Sequence, residues 1–578
     1  MIQRYSIVLV FSLLTTVVLG QNVEQFTQKE GLKNFFKDFK QGDPFKITGN
    51  LGLNTRSYFA SGIENRQSPF IWFLNGQVNI KVYRLNIPFS ALATAQNLTY
   101  AHPFHTNAYT SRFTRIGASP YYKWAKLHLG HRAMNFSSLS VANHMFLGAG
   151  TELNPGKWRL GGFYGRMART EPLDLSLLEP NRVVFDRTGW GAKVGYGTST
   201  NFLDLIVFKA KDGTPSLLPT NLDSAKVFQN ENMVTALNGQ ATVLKRLRLG
   251  LEISSSAFSK NAQDPVVSER HLIHPSFVMQ QRTSTVYRYA LNTTAQYQFE
   301  VFSLGLNYRR IEPEFRSLGA YFFNDDLENM TANTGFGLFK NKVRINGSGG
   351  IQRNNLRGTR ATRFNRTIGS LDINYAVKSF NIGLNHSNYT SKIDYVLNLD
   401  LDSLNAVVIT RQTALNGSYT LTGKSKNRHT FSANIALEGV TDDVQEVDLS
   451  AASSMFTTGL NYTLSTAEDR WRINGRLNYN ENELSNLRVQ RYGAGGGVQR
   501  EVIPKKWSVG FDLNYFNSIG ENIDNQTING RFNSPLTINK HHRLDVSLMY
   551  LYRFKTNAGS QSPNFRETTG MLNYIYSF

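Results

Sequence analysis

The sequence predicts an all-β protein: a closed transmembrane antiparallel β-barrel of about 26 strands. Three observations point there. Beyond residue 20 no apolar stretch approaches the roughly 18 residues that a spanning helix requires. Long segments alternate apolar and polar side chains with a period of two, which in a strand separates two faces. The chain also opens with an export leader, and an exported chain that enters lipid without spanning helices must close its sheet, because lipid tolerates no unpaired backbone.

The elements follow in chain order. Residues 1–20 carry one cation, Arg4, then an apolar run from Ile7 to Leu19, with Val18 and Gly20 placed as small residues before a cleavage point. That pattern reads as a secretory signal peptide. The chain contains no cysteine, which removes lipoprotein processing, disulfides, thiolate metal sites and Cys nucleophiles together. Residues 21–44 form an N-terminal segment in which Val23, Phe26, Leu32, Phe35, Phe36 and Phe39 recur at mostly helical spacing. A helical cork, a docking peptide and an unordered leader all fit it. Residues 45–578 are the barrel, with a first strand near Phe45 to Ala60.

Alternation is clearest late in the chain. Trp471, Ile473, Gly475, Leu477 and Tyr479 interleave with Arg472, Asn474, Arg476, Asn478 and Asn480. Trp507 to Phe516 and Leu544 to Lys555 repeat the pattern. An apolar residue, Asn and Tyr recur in a row as Leu306-Asn307-Tyr308, Ile373-Asn374-Tyr375, Leu460-Asn461-Tyr462, Leu477-Asn478-Tyr479, Leu513-Asn514-Tyr515 and Leu572-Asn573-Tyr574. The Tyr reads as an interfacial girdle residue and the Asn as facing the lumen. The strand tally is about 26, with 24 as the alternative because segments 69–98 and 110–134 are ambiguous. Both counts are even.

The last strand ends on Leu572, Tyr574, Tyr576 and Phe578, all on one face. It resembles the sorting and assembly signal of Gram-negative outer-membrane β-barrels. That resemblance implies an outer-membrane location with both termini periplasmic, and insertion by the barrel-assembly machinery. Short turns such as Asn154-Pro155-Gly156, Lys378-Ser379 and Pro504-Lys505-Lys506 then become periplasmic, and longer stretches such as 170–187, 212–231, 259–284 and 314–329 become extracellular loops. Ser119 to Ala125, Gly130-His131-Arg132, and Gly148 to Lys157 resemble large barrels of bacteria that use type IX secretion. This second resemblance implies a stand-alone barrel in a secretion, adhesin-display or barrel-assembly complex, and it brings over no catalytic residue.

Size and charge shape the functional expectation. Barrels of 16–18 strands already enclose water, and wider ones are usually plugged. Residues 21–44 are too few for a globular plug, so folded-in loops, that segment or another protein must fill the lumen. The chain has 63 Lys and Arg against 42 Asp and Glu; losing Arg4 with the leader takes the net charge from +21 to +20. Arg309, Arg344, Arg472, Arg476, Arg491, Arg543 and Arg553 fall on the inferred inner face as pore-lining candidates. A basic lumen concentrates anionic solutes or acidic polypeptide; internal ion-pair networks and contact with lipopolysaccharide phosphates are the competing uses of such cations. Nucleic acid is disfavoured by the compartment.

Enzyme and metal signals are weak, and neither a catalytic residue nor a cofactor is expected. His128 and His131 sit three apart on a strand and point to opposite faces. Asp400-Leu401-Asp402-Ser403-Leu404-Asn405 fails the calcium-loop pattern, with Leu404 at a ligand position. Gly493-Ala494-Gly495-Gly496-Gly497 lies inside a strand, as backbone thinning or a bend. The expected function is a channel or a pore-forming or accessory subunit of a transport or secretion complex. A structural barrel that scaffolds a surface partner is the alternative, and a barrel-embedded hydrolase centred on His131 is the third.

Overall fold

The computed structural model describes residues 44–94, 114–170, 184–213, 228–268, 271, 273–321, 324–395, 406–423, 425–444, 452–467, 470–484, 487–521, 523–555 and 563–578. The leader, all but Pro44 of the 21–44 segment, His102 to His105 and Asp400 to Asn405 lie outside the described residues.

The period-two segments become 27 strand pieces in one antiparallel sheet. Two of them, β4 (Thr114–Ala118) and β5 (Tyr121–Tyr122), share one place. Both lie between β3 (Leu85–Ala93) and β6 (Ala125–Asn135), and Ser119-Pro120 breaks the ladder between them. Proline offers no N–H to continue it. The sheet therefore has 26 places. The ambiguous stretch 69–98 resolves into β2 (Phe70–Val82) and β3, joined by the turn Tyr83-Arg84.

Closure is made by β1 (Lys46–Ser61), which pairs with β2 on one side and with β27 (Phe565–Ser577) on the other. Among the described strands no edge remains open. Phe578 and Gly49 exchange two backbone hydrogen bonds, of 2.9 and 3.0 Å. A Cβ at Gly49 would stand 2.4 Å from the Gln77 carbonyl oxygen and 3.2 Å from the Phe578 ring, so glycine is required there.

Register carries one face around the circumference. Leu53 lies opposite Leu74 and Tyr574, Tyr574 opposite Leu544, and Leu544 opposite Leu536. Farther round, Leu477 faces Leu460, Ile435 faces Leu415, Leu384 faces Ile373, and Ile345 faces Phe336. These residues form the outer wall, with Leu477 at 59% and Leu460 at 57% exposure. No helix of the described residues is long and apolar enough to cross a membrane.

The inner face differs from one side of the barrel to the other. On β6, β7 (Ala142–Leu153), β8 (Trp158–Ala168), β9 (Arg187–Gly197), β10 (Phe202–Asp212) and β11 (Glu231–Val243) it carries an apolar cluster: Met134, Phe146, Phe163, Met167, Ile206, Phe208 and Val234 pack there, buried. Phe136 and Val141 complete it from the β6–β7 connection, and Leu318 from the connection between β14 (Phe302–Ile311) and β15 (Leu327–Leu338). Both connections therefore fold into the lumen. A Cβ at Gly191 would lie 2.6 Å from the Phe163 ring and 2.9 Å from the Phe136 ring, so a bare backbone makes the room.

Polar latches fix these inward loops. Glu252, on β12 (Leu247–Ser259), accepts hydrogen bonds from the Ser138 hydroxyl and the Leu139 N–H, each 2.7 Å. The Ala142 N–H donates to the Gly319 carbonyl at 3.0 Å, and the Leu318 N–H to the Asn232 side-chain oxygen at 3.0 Å. Burying each Phe of the cluster contributes about 1.5–3 kcal/mol. A single hydrogen bond contributes about 1 kcal/mol. Packing therefore holds the loops and the latches set their position.

Candidate functional site

The other side of the inner wall runs from β14 and β15 through β16 (Val343–Arg353), β17 (Thr362–Ala376), β18 (Phe380–Tyr395), β19 (Ala406–Thr422), β20 (Arg428–Val444), β21 (Ser453–Ser465), β22 (Trp471–Leu484), β23 (Leu487–Ile503), β24 (Trp507–Gly520), β25 (Ile523–Thr537) and β26 (His542–Lys555) to β27. Its inward positions are rich in Asn: register sets Asn434 opposite Asn416, Asn514 opposite Asn529, and Asn573 opposite Asn54. Alternation from the outer leucines places ten arginines and Lys555 inward: Arg309, Arg344, Arg366, Arg428, Arg472, Arg476, Arg491, Arg531, Arg543 and Arg553. Among the described side chains, six acids share that face: Asp372, Glu438, Glu501, Asp512, Asp545 and Glu567.

All seven arginines selected from the sequence take the inward register, in two tiers and a middle. Arg344, Arg472 and Arg543 lie near the short-turn end, and Arg543 pairs with Asp545 at 3.0 Å. Arg309, Arg491 and Arg553 lie toward the long-loop end. Arg491 stacks over the Phe516 ring at 4.0 Å and Arg553 over Phe565 at 5.7 Å, contacts that leave the charge unneutralised. Between the tiers, Arg476 bonds Asp512 at 2.7 Å. Arg472 also lines a recess at the short-turn mouth with Gln499, Glu501, Lys505 and Ser508.

Arg366, Arg428 and Arg531 belong to the same face and were missed. Their signal is the same alternation: Asn525, Thr527, Asn529, Arg531 and Asn533 interleave with Gln526, Ile528, Gly530 and Phe532. The C-terminal residues Leu572, Tyr574, Tyr576 and Phe578 point outward along the seam. The Tyr574 hydroxyl lies 2.6 Å from His542 Nδ1, and the Tyr576 and Phe578 rings are 5.6 Å apart.

The charges of the apolar side are mostly matched. Arg159 bonds Asp204 at 2.8 Å, Arg187 bonds Asp212 at 2.7 Å, and Arg288 on β13 (Thr285–Gln298) bonds Glu314 at 2.6 Å. Hydrogen bonds from Lys260 and Arg288 hold the Glu314 carboxyl below its ordinary range. In the β12–β13 connection His271 stacks on Tyr287 of the outer wall and His274 lies tilted beside it, and burial pushes His274 down to about 4.

Sequence reasoning also missed a hydrogen-bonded row, Ser119–His128–Glu152. The Ser119 hydroxyl lies 3.1 Å from His128 Nδ1, and His128 Nε2 lies 2.7 Å from Glu152. Its connectivity is that of a nucleophile, base and orienting acid. Ser119 is only 8% exposed, and its own N–H donates to the Pro88 carbonyl at 2.9 Å. The row pins the broken β4–β5 strand. His131 lies in β6 and accepts the Ile116 N–H at 3.3 Å, apart from that row. Among the described residues no three His, Asp or Glu side chains form a group that could hold a metal ion.

No family model matches the chain, and no curated protein matches it either. Among solved structures, the P pilus usher (PapC) translocation pore is 11% identical over 92% of this chain and 99% of its own, with a TM-score of 0.32. OccK10 (OpdN) of Pseudomonas aeruginosa is 11% identical over 65% and 100%, with a TM-score of 0.33. OmpT, an outer membrane protein of Vibrio cholerae, is 9% identical over 60% and 98%, with a TM-score of 0.27. Likeness at this level carries no argument about function.

Proposed function

We propose that the protein is an outer-membrane channel of a Gram-negative bacterium, with both termini periplasmic and the long loops extracellular. Its outer wall suits lipid, and its chain bears the leader and terminal strand of exported barrels. The observation that carries the reading is the inner wall of β14–β27, where, among the described side chains, ten arginines and Lys555 stand against six acids on an Asn-rich surface. Such a wall raises the local concentration of anions and polar solutes. The full chain, purified and inserted into planar bilayers, is expected to give stable openings that favour chloride over potassium. Absence of conductance, or cation selectivity, would defeat this reading.

A second reading is an accessory barrel that supports a secreted or surface partner within a secretion complex. It is favoured by the β12–β13 connection, which lies against the outer wall and leaves Phe277 at 89% exposure. Silent bilayers together with a stoichiometric partner that copurifies from native membranes would move the assignment there.

A further inference from the structure

A niche of about 450 Å³ opens in the inner wall where β22, β24, β25, β26 and β27 approach β1, under the β1–β2 connection. Its floor depends on the glycine run of β23. A Cβ at Gly497 would stand 2.3 Å from Asp512 Oδ1, and one at Gly495 2.1 Å from Asn514 Oδ1. With those side chains absent, Arg476 on β22 reaches across β23 to Asp512 on β24 at 2.7 Å.

Two guanidinium groups face this niche with capacity to spare. Arg531 forms no ion pair among the described residues, although register sets it beside Asp512, which is taken by Arg476. Arg476 Nε is buried and without a partner, and so is Asn529 Oδ1. Across the niche, Glu567 is held by the Tyr58 hydroxyl and by Arg66 Nε at 2.9 Å. Met549 and Leu551 supply apolar surface between the two polar sides.

We propose that this niche is a binding site for a small anionic sugar, a phosphorylated or carboxylated hexose. Arg531 and Arg476 take the anionic group, for which a planar guanidinium is suited. Asn514, Asn529 and the Asp512 and Glu567 carboxylates bond ring hydroxyls, and Met549 with Leu551 face the C–H surface of the ring. The volume falls within the range of ordinary small-ligand sites. The assignment deepens the channel reading and rests on the lumen being a solute route, yet binding can be measured without transport.

The test is calorimetry on the full chain in detergent with four probes: glucose 6-phosphate, glucuronate, glucose and inorganic phosphate. Glucose 6-phosphate or glucuronate is expected to bind more tightly than glucose or phosphate alone. R531Q should weaken that binding on the order of tenfold or more, the scale of one charge-assisted contact. R363Q, on the outer wall, should leave it unchanged. Equal binding of all four probes, no binding of any, or an R531Q affinity equal to that of the unaltered chain would overturn the site. A channel that conducts but binds none of the probes refutes the niche alone; one that binds without conducting refutes the channel reading alone.

Discussion

The inner walls of β6–β13 and of β14–β27 arise from the same alternation of side chains, yet they hold opposite contents. The first is lined by Phe146, Phe163, Ile206 and Phe208 beneath two inward-folded connections, and its charges are largely paired. The second is lined by Asn and Arg and has no comparable buried cluster among the described residues. The difference teaches that a barrel can set its effective opening by filling one flank with its own connections.

The largest test of this contrast is stability. Phe208→Ala should cost about 3–5 kcal/mol, as for a buried aromatic in a close-packed site. Asn529→Ala on the open flank should cost less than about 1 kcal/mol, the scale of substitutions outside packed features. Urea unfolding in lipid vesicles reads both, and equal losses would erase the distinction. Next comes the latch: Glu252→Ala strands the Leu139 N–H and the Ser138 hydroxyl, at about 1–3 kcal/mol for unsatisfied groups. The β6–β7 connection should loosen and single-channel conductance should rise; an unchanged conductance would mean that this connection does not narrow the opening.

Charge gives a finer probe. The double variant R491E and R553E should turn chloride preference toward potassium, seen as a reversal-potential change of sign in a salt gradient. Selectivity that ignores both residues would place the controlling charges elsewhere. The pH response is smaller. Glu314, depressed chiefly by its bond from Lys260 and then by Arg288, anchors the second inward loop. A carboxyl with a lowered folded pKa stabilises above its unfolded value, near 4.3, and loses that contribution as pH falls through the folded value. Conductance should therefore stay level from neutral pH down to the ordinary carboxyl range and rise only below it. A rise centred near pH 6 would point to a histidine instead. The smallest effect is expected from R363Q, within about 0.5 kcal/mol in the same unfolding assay.

Much of this contrast was legible in the residues. Alternation in 471–480, 507–516 and 544–555 places each side chain correctly because a period of two leaves no freedom once one face is known. The same rule puts Arg309, Arg344, Arg472, Arg476, Arg491, Arg543 and Arg553 on the inner face. Arg531 escaped because Gln526, Gly530 and Ser534 dull the apolar half of its strand. The glycine run in β23 is thinning and not a bend: its register is continuous from Val489 to Glu501. The inward course of the 136–141 and 312–321 connections was not legible. It depends on Glu252 and Asn232, remote in sequence, and on Gly191 leaving a hollow for two rings. Local pattern encodes which face a strand shows but not where a loop goes.

The lopsided placement of positive charge also sets up a field that crosses the bore instead of running along it. A passing molecule with one acidic end would be swung sideways before it moved forward, its negative pole toward the arginines and its neutral flank toward the aromatic filling. On the channel reading, orientation would rank ahead of size in deciding which asymmetric solutes pass.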